Sequence, residues 1–543
     1  MKTWVLVVTA AASAMCTFLS SAPFGFGVAA IASPTLLILI AMHAKKTRSA
    51  LLYVFLTQIP LWLVLHAWVE DVAMFGWIGL GIYMSIWAPL FVLLLRKTQS
   101  IPHISLLFIA PVLWVGLECI RGIVLFDGYP WYLAGTGIVD WPMASIATVG
   151  SVWLVSFLVI LIASAIATAK NVRWWTWVTL IFVCVYVSSR PWGYYTRAFG
   201  RNIIELVVIQ TNVSQSNKGA WTWERKLEDV SQAIELTYKA VEDAEVLPAL
   251  IIWPETMLPG SGFEVNRLDF GPWDEYFTPS WYWSVKIREV AYNLNIPILV
   301  GSPTWLDVKV LEEADYPRVE PAFKFNSAVL VFPDGTTERY DKTFLTPFGE
   351  RIPYVEHFPT LQNWVRDKVG AAMLFDLHAG GEPHTFTLPA TTIGGDLSEI
   401  SIATPICFED TVPRVVRNLI WVNGERKVGV LINLSNDGWF GNDSSAHLQH
   451  VREARMRCIE NMTPMLRAAN TGISCLISTN GIVLEGLPIG ESGFMPVQVH
   501  SGYDLPLSRY IGDSVAWICL IGSILLIVGS YTNGVKDKDE STT

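Results

Sequence analysis

The stretch ATPICFEDTVPR, residues 403–414, ends a short apolar run with a single cysteine, Cys407, and places Glu409 and Asp410 directly behind it. Cysteine is among the most buried residue types and behaves as a small hydrophobe, so Cys407 by itself favours a buried structural thiol. The end of a strand is also where catalytic groups collect in α/β proteins, which leaves a nucleophile as the second interpretation. Asp410 is expected to cap a helix.

Two further stretches place a reactive side chain at the corresponding position, at or near the C-terminal end of a predicted strand. They are LIIWPETMLPG (250–260), with Glu255, and RYDKTFLTPFGERIP (339–353), with Lys342. A catalytic thiol needs a base that takes its proton and a cation that stabilises the oxyanion, and these two side chains supply both. Either residue alone is equally a solvated surface charge. Their joint arrangement with Cys407 favours an active site.

The composition excludes several other classes of protein. The chain of 543 residues is 52% hydrophobic and carries a net charge of −10, which favours a membrane protein over a nucleic-acid binder. Seven cysteines without a CxxC pair predict neither a disulfide framework nor a zinc site. His447 and His450 have no third ligand beside them, and no GxSxG or GxxxxGK motif occurs, so we expect no metal and no cofactor.

Apolar segments cluster at the two ends of the chain and predict a helical transmembrane bundle of about eight spans. The windows are 4–20, 24–43, 50–69, 73–95, 104–125, 146–168, 174–190 and 514–531. A signal peptide is the competing interpretation of residues 1–22, but apolar spans continue directly after it.

Lysine and arginine fall in alternate loops between these windows, which predicts that those loops face the cytoplasm. The basic positions are Lys45, Lys46, Arg48, Arg96, Lys97, Lys170 and Arg173. The long segment between the seventh and eighth windows is then exterior. Its short β-rich runs alternate with amphipathic stretches, which is typical of one α/β domain. We predict a bundle over 1–192, a catalytic domain over 193–508, and a final span with a cytoplasmic tail over 509–543.

Several blocks of this sequence resemble known families. The WPE, DKTFLTPFGE and CFE blocks are similar to the Glu-Lys-Cys elements of the nitrilase superfamily (CN hydrolases), whose fold is an α-β-β-α sandwich. Their position between membrane spans resembles the bacterial apolipoprotein N-acyltransferase family. Further blocks in the same order support this resemblance: LWVGLECIRGIVLFDGYPW (113–131), LVVIQTNVSQS (206–216), NLSNDGWFG (433–441) and QHVREARMRCIENMTPMLRAANTGIS (449–474).

The resemblance implies a role for each matching position. Cys407 is expected to be the nucleophile, Glu255 the general base and Lys342 the cation that stabilises the oxyanion. Supporting residues are Glu350, Glu409 and Phe408, and expected substrate contacts are Asn326, Trp439 and either Trp221 or Trp223. The implied reaction passes an acyl chain from a membrane phospholipid, through a thioester, to the amine of a diacylglyceryl-cysteine at a lipoprotein N-terminus. The implied location is the bacterial inner membrane, with the catalytic domain on the periplasmic side.

The sequence departs from the family pattern at three places, one of which is a longer loop at 214–224. The residue after the nucleophile is Phe408 in place of the common tyrosine, which leaves the backbone N–H as an oxyanion donor. The usual Gly-Arg-Pro before the last strands is replaced by Met462, Thr463 and Pro464, so an arginine contact is expected to be missing there. The alternative function is that of a membrane-tethered amidase, which shares the triad but passes the acyl group to water.

Overall fold

The computed structural model divides the protein into two compact units. It describes residues 1–99, 101, 104–168, 202–214, 222–264, 282–312, 317–354, 358, 360, 377–441, 443–502 and 504–540. The helical unit contains the described residues of 1–197, 442–460 and 506–543, and the sheet unit contains those of 198–441 and 461–505. The boundaries predicted at 192/193 and 508/509 stay a prediction.

Apolar helices make up most of the helical unit. Its helices are α1 (Thr3–Ser20), α2 (Gly27–His43), α3 (Thr47–Leu65), α4 (Met74–Ser85), α5 (Trp87–Thr98), α6 (Leu106–Cys119), α7 (Ala147–Ala167), α11 (Ser444–Asn461), α12 (Ser508–Ile511) and α13 (Ser514–Glu540). A π-turn, Ile120–Val124, extends α6, and α4 and α5 together form one apolar segment, Met74–Thr98.

Six helical segments in the described part of the chain are long and apolar enough to cross a membrane. They correspond to six of the eight predicted windows, so these long apolar helices are confirmed, whereas a bundle of about eight membrane spans stays a prediction. The second window forms the shorter helix α2, of 17 residues. The seventh window, 174–190, lies outside the described residues.

Helices α6 and α7 form the centre of the helical unit, because about 67% and 72% of their apolar windows are buried, against 17% for α13. Gly116 on α6 allows the backbone of α13 to come close, since a Cβ there would meet the carbonyl oxygen of Cys519 at 3.0 Å. Small residues serve this purpose between membrane helices, where lipid offers no hydrophobic driving force.

Helix α11 falls within the range predicted for the catalytic domain, yet it packs in the helical unit. Glu453 on α11 accepts hydrogen bonds from the Tyr132 backbone N–H (3.1 Å) and the Thr136 hydroxyl (3.0 Å). Arg452 and Arg455 both pair with Asp140, at 2.8 and 2.7 Å. These buried and half-buried polar contacts join α11 to the loop that follows α6.

One hydrogen-bonded path of strands organises the sheet unit, in the order β13-β12-β11-β10-β7-β6-β1-β2-β3-β4-β5, with β14 also paired to β1. Its strands are β1 (Asn202–Gln210), β2 (Leu250–Ile252), β3 (Ile298–Glu312), β4 (Pro317–Val331), β5 (Thr337–Asp341), β6 (Phe386–Thr392), β7 (Leu397–Ala403), β10 (Val430–Ser435), β11 (Met465–Ala469), β12 (Cys475–Ile477), β13 (Val483–Gly486) and β14 (Gly493–His500). A separate hairpin pairs β8 (Trp421–Val422) with β9 (Glu425–Arg426).

The sheet is mixed, with parallel pairs β1–β2, β2–β3, β7–β10 and β10–β11 beside antiparallel ones. Strands β1 and β6 share only two registered residue pairs, so they form a short junction between two larger sets of strands. An α/β domain is thereby confirmed, whereas the stacking of these sets into an α-β-β-α sandwich stays a prediction.

In the described part of the sheet unit, three helices accompany the strands: α8 (Trp223–Glu242), α9 (Tyr282–Leu294) and α10 (Pro413–Ile420). The alternating stretch that follows Trp223 forms α8 as predicted, and the Thr222 hydroxyl caps it by accepting from the Arg225 N–H. The buried face of α8 and α9 packs on β1, β2 and β3 in one apolar core. Helix α10 begins at Pro413 after Val412, without a side-chain cap, so the expectation that Asp410 caps a helix is wrong.

Candidate active site

Glu255 lies three residues beyond the end of β2, in a turn that passes directly over β3. Gly301 on β3 makes this possible, because a Cβ there would collide with the Glu255 Cα and the Pro254 carbonyl oxygen. Thr256, the next residue, has a φ of +55°. The turn thus holds the Glu255 side chain in a buried position, 4% exposed, at the C-terminal end of parallel strands.

Lys342 is the first residue after β5, and its buried ammonium contacts two carboxylates. Its Nζ lies 2.7 Å from Glu350 Oε2 and 3.9 Å from Glu255 Oε1. Its backbone N–H donates to the Asn326 carbonyl at 2.8 Å, which fixes the start of the side chain. Glu350 is held in turn by the Thr346 N–H at 2.8 Å. Two of the three predicted catalytic residues are therefore in contact.

Asn326 joins the two carboxylates through its side-chain amide. Its Nδ2 donates to Glu255 Oε1 at 2.7 Å and to Glu350 Oε1 at 3.2 Å. The resemblance predicts that Asn326 contacts substrate, and the structure places its amide between Glu255 and Glu350. Its contact with substrate stays a prediction.

Cys407 begins a short 3-10 turn, Cys407–Thr411, that follows β7. Its φ is +50°, a left-handed conformation that costs a residue with a side chain about 1–3 kcal/mol. Asn433 stabilises this turn because its Nδ2 donates to the carbonyl oxygens of Pro405 (3.0 Å) and Cys407 (3.2 Å). Backbone strain of this kind is concentrated at functional sites, where it aims a side chain.

Glu409 anchors the turn Cys407–Thr411 to the loop that carries Lys342. Its carboxylate accepts from the backbone N–H groups of Thr343 (2.9 Å), Phe344 (2.9 Å) and Ile406 (2.8 Å), and from the Tyr340 hydroxyl (3.0 Å). Because the Glu409 carboxylate is the acceptor in all of these bonds, it holds the neighbouring residues in position. Phe408 stacks on Phe344 with the ring centroids 6.2 Å apart.

The protonation of the cluster follows from burial and from its charges. Burial raises the pKa of the Cys407 thiol, and the carboxylate of Glu255 raises it further, although Lys342 acts in the opposite direction. Burial also raises the pKa of Glu255, where the effects of Lys342 and Glu350 oppose one another. Burial would raise the pKa of Glu350 as well, but its close contact with Lys342 outweighs burial and lowers it. Glu255 is therefore the more basic carboxylate, suited to accept a proton.

The ammonium of Lys342 stays charged in this setting. Burial acts to lower its pKa, but the surrounding groups, Glu350 first among them, raise it above the usual lysine value. A buried cation that stays charged is what an oxyanion intermediate needs.

Several residues of the site were not identified from the sequence. The backbone N–H of Asn436 donates to Glu255 Oε2 at 2.7 Å, so both oxygens of Glu255 are held. Arg467 on β11 pairs with Asp410 behind the nucleophile and with Asp437 at 3.4 Å. These residues lie in the NLSNDGWFG and LRAAN blocks. The sequence alone does not predict which backbone N–H groups donate to the site or which residues pair with an arginine.

The structure describes two of the three tryptophans that are predicted to contact substrate. Trp439 lies half-buried in the turn Asp437–Phe440, directly after β10. Trp223 packs its ring against Tyr282 and Trp283, with centroids 5.4 and 5.2 Å apart, at the edge of the apolar core. Trp221 lies outside the described residues. A substrate contact by any of the three stays a prediction.

Two family profiles match the sequence. The apolipoprotein N-acyltransferase N-terminal domain matches residues 13–165, and the carbon-nitrogen hydrolase domain matches 208–503, more than half of the chain. Apolipoprotein N-acyltransferase of Bordetella bronchiseptica is 30% identical over 440 residues, which cover 78% of this chain and 73% of that protein. The chain belongs to the apolipoprotein N-acyltransferase family.

Other members of this family are similar over even more of their length. The apolipoprotein N-acyltransferase of Vibrio cholerae is 27% identical over 89% of both chains, and that of Geobacter metallireducens is 27% identical over 82% of this chain and 78% of the relative. An amidase from Nesterenkonia sp., among solved structures, is 14% identical with a TM-score of 0.34 over 55% of this chain and 91% of that one. From the two family profiles and the curated relatives, the protein is an acyltransferase with a carbon-nitrogen hydrolase domain.

Proposed function

We propose that this acyltransferase moves an acyl chain from a membrane phospholipid to the α-amine of a diacylglyceryl-cysteine at a lipoprotein N-terminus, by way of a thioester on Cys407. The observation that carries the proposal is the buried Glu255, Lys342 and Glu350 cluster, with Lys342 Nζ 2.7 Å from Glu350 and 3.9 Å from Glu255. Such a cluster provides a base and a fixed cation without any cofactor.

In the first step, Glu255 takes the proton of the Cys407 thiol, and the thiolate sulfur forms a bond to the carbonyl carbon of the phospholipid ester. The negative charge on the carbonyl oxygen is stabilised by the Lys342 ammonium and the Phe408 backbone N–H. Collapse of this intermediate breaks the ester C–O bond, and protonated Glu255 returns its proton to the lysophospholipid oxygen. A thioester remains on Cys407, and Glu255 is ionised again.

In the second step, the neutral α-amine of the lipoprotein attacks the thioester carbonyl. Glu255 accepts the proton that the amine loses, and the oxyanion again lies against Lys342. The C–S bond breaks, the amide forms, and the thiolate recovers its proton from Glu255. Both half-reactions use the same groups, which explains why one base with a raised pKa suffices.

The helical unit suits substrates that stay in the bilayer. Extracting a lipid chain into water costs about 0.8 kcal/mol for each CH₂ exposed, so an enzyme anchored by six apolar segments avoids that cost for both substrates. We assign the sheet unit to the periplasmic side of the inner membrane, because the basic loops are predicted to face the cytoplasm and the segment that forms the sheet unit lies on the other side of the membrane. The sandwich arrangement of its strands is part of the same proposal.

Mass spectrometry of the acyl-enzyme tests the chemistry. Purified protein is incubated with phospholipid but without a lipoprotein acceptor, so that the thioester accumulates. We expect the mass at Cys407 to increase by one acyl group. When a diacylated lipopeptide is added, the enzyme should lose this group and the lipopeptide should gain it. Cys458→Ala and Cys475→Ala, which remove buried thiols, are the matched controls. An adduct elsewhere, or an amide substrate hydrolysed with no lipopeptide acylated, contradicts the proposal.

A further inference from the structure

Asn470 is the first residue after β11 and is fully buried in the sheet unit. Its side-chain amide makes four hydrogen bonds and its backbone makes two more, which uses its whole capacity for hydrogen bonding. A buried amide that is satisfied on every side has one orientation, because any rotation would leave a donor or an acceptor unpaired. Neither half-reaction of the acyl transfer, as the triad performs it, involves this residue directly.

One set of its hydrogen bonds holds the chain just beyond β1. The Oδ1 of Asn470 accepts from the Thr211 hydroxyl and from the Val213 N–H, both at 2.8 Å. Its Nδ2 donates to the Val213 carbonyl at 2.7 Å, and its backbone carbonyl accepts from the Asn212 N–H at 3.0 Å. Residues 211–213 are thereby fixed to the end of β11, although β10, β7 and β6 lie between β11 and β1 in the strand order.

The remaining hydrogen bonds hold Asn436, which directly follows β10. Asn470 Nδ2 donates to Asn436 Oδ1 at 2.9 Å, and the Asn470 backbone N–H donates to the Ser435 carbonyl at 3.0 Å. That carbonyl belongs to the same peptide group as the Asn436 N–H, which donates to Glu255 Oε2 at 2.7 Å. A donor on the carbonyl polarises the peptide group and strengthens the bond that its N–H makes. Asn470 therefore acts on both the position and the strength of the bond to Glu255.

This bond matters because the catalytic groups come from two different sets of strands. Glu255 and Lys342 follow β2 and β5, whereas Cys407 follows β7, and the sheet joins the two sets through two residue pairs of β1 and β6. The bond from Asn436, after β10, to Glu255 crosses from one set to the other. The bonds of Asn470 to residues 211–213 cross in the same way. The position of the base relative to the thiol thus depends on this group of bonds.

We propose that Asn470 is a positioning residue for the acyl transfer, and that it holds the Asn436 peptide group so that its N–H keeps the Glu255 carboxylate fixed for proton transfer. This role rests on the acyl transfer proposed above and adds a residue to it. A residue that only tied the strand ends together would stabilise the fold without altering the protonation of Glu255. A positioning residue alters both, since the Asn436 N–H favours the ionised form of Glu255.

The pH dependence of thioester formation separates these two roles. In Asn470→Ala the Asn436 peptide group is released, so Glu255 loses a hydrogen bond that lowers its pKa. Glu255 accepts a proton only when ionised, so the acidic limb of the acylation rate should move to higher pH. The titratable groups around Glu255 and Cys407 that the substitution leaves in place are Lys342, Glu350 and Asp437.

The rate above that limb gives a second measure. Stopped-flow acylation of the full chain in detergent, with a phospholipid and at a series of pH values, measures the rate and its KM. We expect the rate of Asn470→Ala to fall about tenfold to a hundredfold with little change in KM, because a displaced base slows proton transfer without weakening substrate binding.

Thr211→Val is the matched control. It removes one of the two bonds that Asn470 Oδ1 accepts and leaves the contact with Asn436, so the acidic limb should stay in place. Asn436→Ala breaks that contact from the other side and keeps its own backbone N–H, so the limb should move in the same direction as in Asn470→Ala. The double variant should move it no further than the larger single shift, because both substitutions break one contact. Asn436→Ala therefore tests the role even when Asn470→Ala does not fold.

Mass spectrometry of the thioester on Cys407 distinguishes the two ways in which this experiment can fail. A parent protein that forms no thioester overturns the proposed function and this role with it. A parent that forms the thioester, with an unmoved acidic limb in folded Asn470→Ala, overturns only the role of Asn470. An unmoved limb in Asn436→Ala, or a limb that moves as far in Thr211→Val, has the same consequence.

Discussion

Glu350 has two effects on its neighbours, and they can be separated by substitution. It pairs with Lys342 at 2.7 Å, and its charge raises the pKa of Glu255. In Glu350→Gln the ammonium loses its closest carboxylate and is drawn towards Glu255, away from the place of the oxyanion. We expect thioester formation to slow about 10²–10³-fold with little change in KM, as for loss of one oxyanion contact. Stopped-flow acylation with a phospholipid measures both.

The pH profile of the same variant distinguishes a role through Glu255 from a structural one. Glu255 accepts a proton only when ionised, so the acylation rate falls as pH drops through its pKa, which is raised above the usual carboxyl value. Removing the charge of Glu350 lowers that pKa, so the acidic limb should move to lower pH. Glu338→Gln removes a half-exposed carboxylate of the same unit and should leave the limb in place. An unmoved limb in Glu350→Gln contradicts this coupling.

Arg467 connects three elements of the sheet unit: the turn Cys407–Thr411, the loop after β10, and β11 itself. It pairs with Asp410 and Asp437, and all three side chains are fully buried. Arg467→Met leaves two buried carboxylates without their cation, so we expect a loss of about 3–5 kcal/mol in the free energy of unfolding. Thermal unfolding in detergent measures it.

A set of related variants tests whether unpaired buried charge causes the loss of stability in Arg467→Met. Arg467→Met combined with Asp410→Asn and Asp437→Asn removes all three charges and should recover part of the lost stability. Arg225→Met breaks an exposed pair with Glu228 on α8 and should have no measurable effect. If Arg467→Met has the same unfolding temperature as the parent protein, the ion pairs of Arg467 with Asp410 and Asp437 do not hold these elements together.

The elements differ in how well the sequence predicts them, and the reason is their burial pattern. Strands buried on both faces, such as β2 and β10, are continuous apolar runs, and such runs are predicted as strands from the sequence. Strand β6, FTLPATT, alternates buried and exposed residues and contains a proline, so it gave no such run. Strand β14 alternates in the same way. The positions of Glu255 and Cys407 were predictable because each follows an apolar run, whereas β5, TERYD, before Lys342 is a polar strand.

Contacts between distant elements could not be predicted, because they depend on where the chain returns. Beside Met462 and Thr463, where a family arginine contact is expected to be missing, the structure places a different arginine, from β9. Arg426 donates to the Thr463 hydroxyl at 2.6 Å and to the Asn461 carbonyl at 3.0 Å, and it stacks over Trp421. Helix α11 likewise follows the Trp439 turn in sequence but packs in the helical unit, where polar partners such as Asp140 satisfy its charges.

At the scale of the whole molecule, the apolar windows and the basic loops together predict on which side of the membrane each loop lies. Length and hydropathy identify six segments, but they carry no direction. Direction comes from the excess of lysine and arginine, which resist transfer across the bilayer. Lys45 and Lys46 lie in the loop between α2 and α3 and Arg48 in the first turn of α3, whereas the loop between α3 and α4 contains Glu70 and Asp71. These two loops should face opposite sides.

Labelling of single cysteines by a membrane-impermeant maleimide tests this orientation. In a background with Cys16→Ala and Cys407→Ala, the remaining thiols in the described part of the chain are buried, so a new exposed cysteine reports alone. Glu70→Cys and Glu382→Cys should react in intact spheroplasts, and His43→Cys only after lysis; all three positions are exposed. His43→Cys keeps Lys45, Lys46 and Arg48, so it does not disturb the charge bias that it reports. Reaction of His43→Cys before lysis with protection of Glu382→Cys would invert the assignment, and would place the thioester chemistry on the cytoplasmic side.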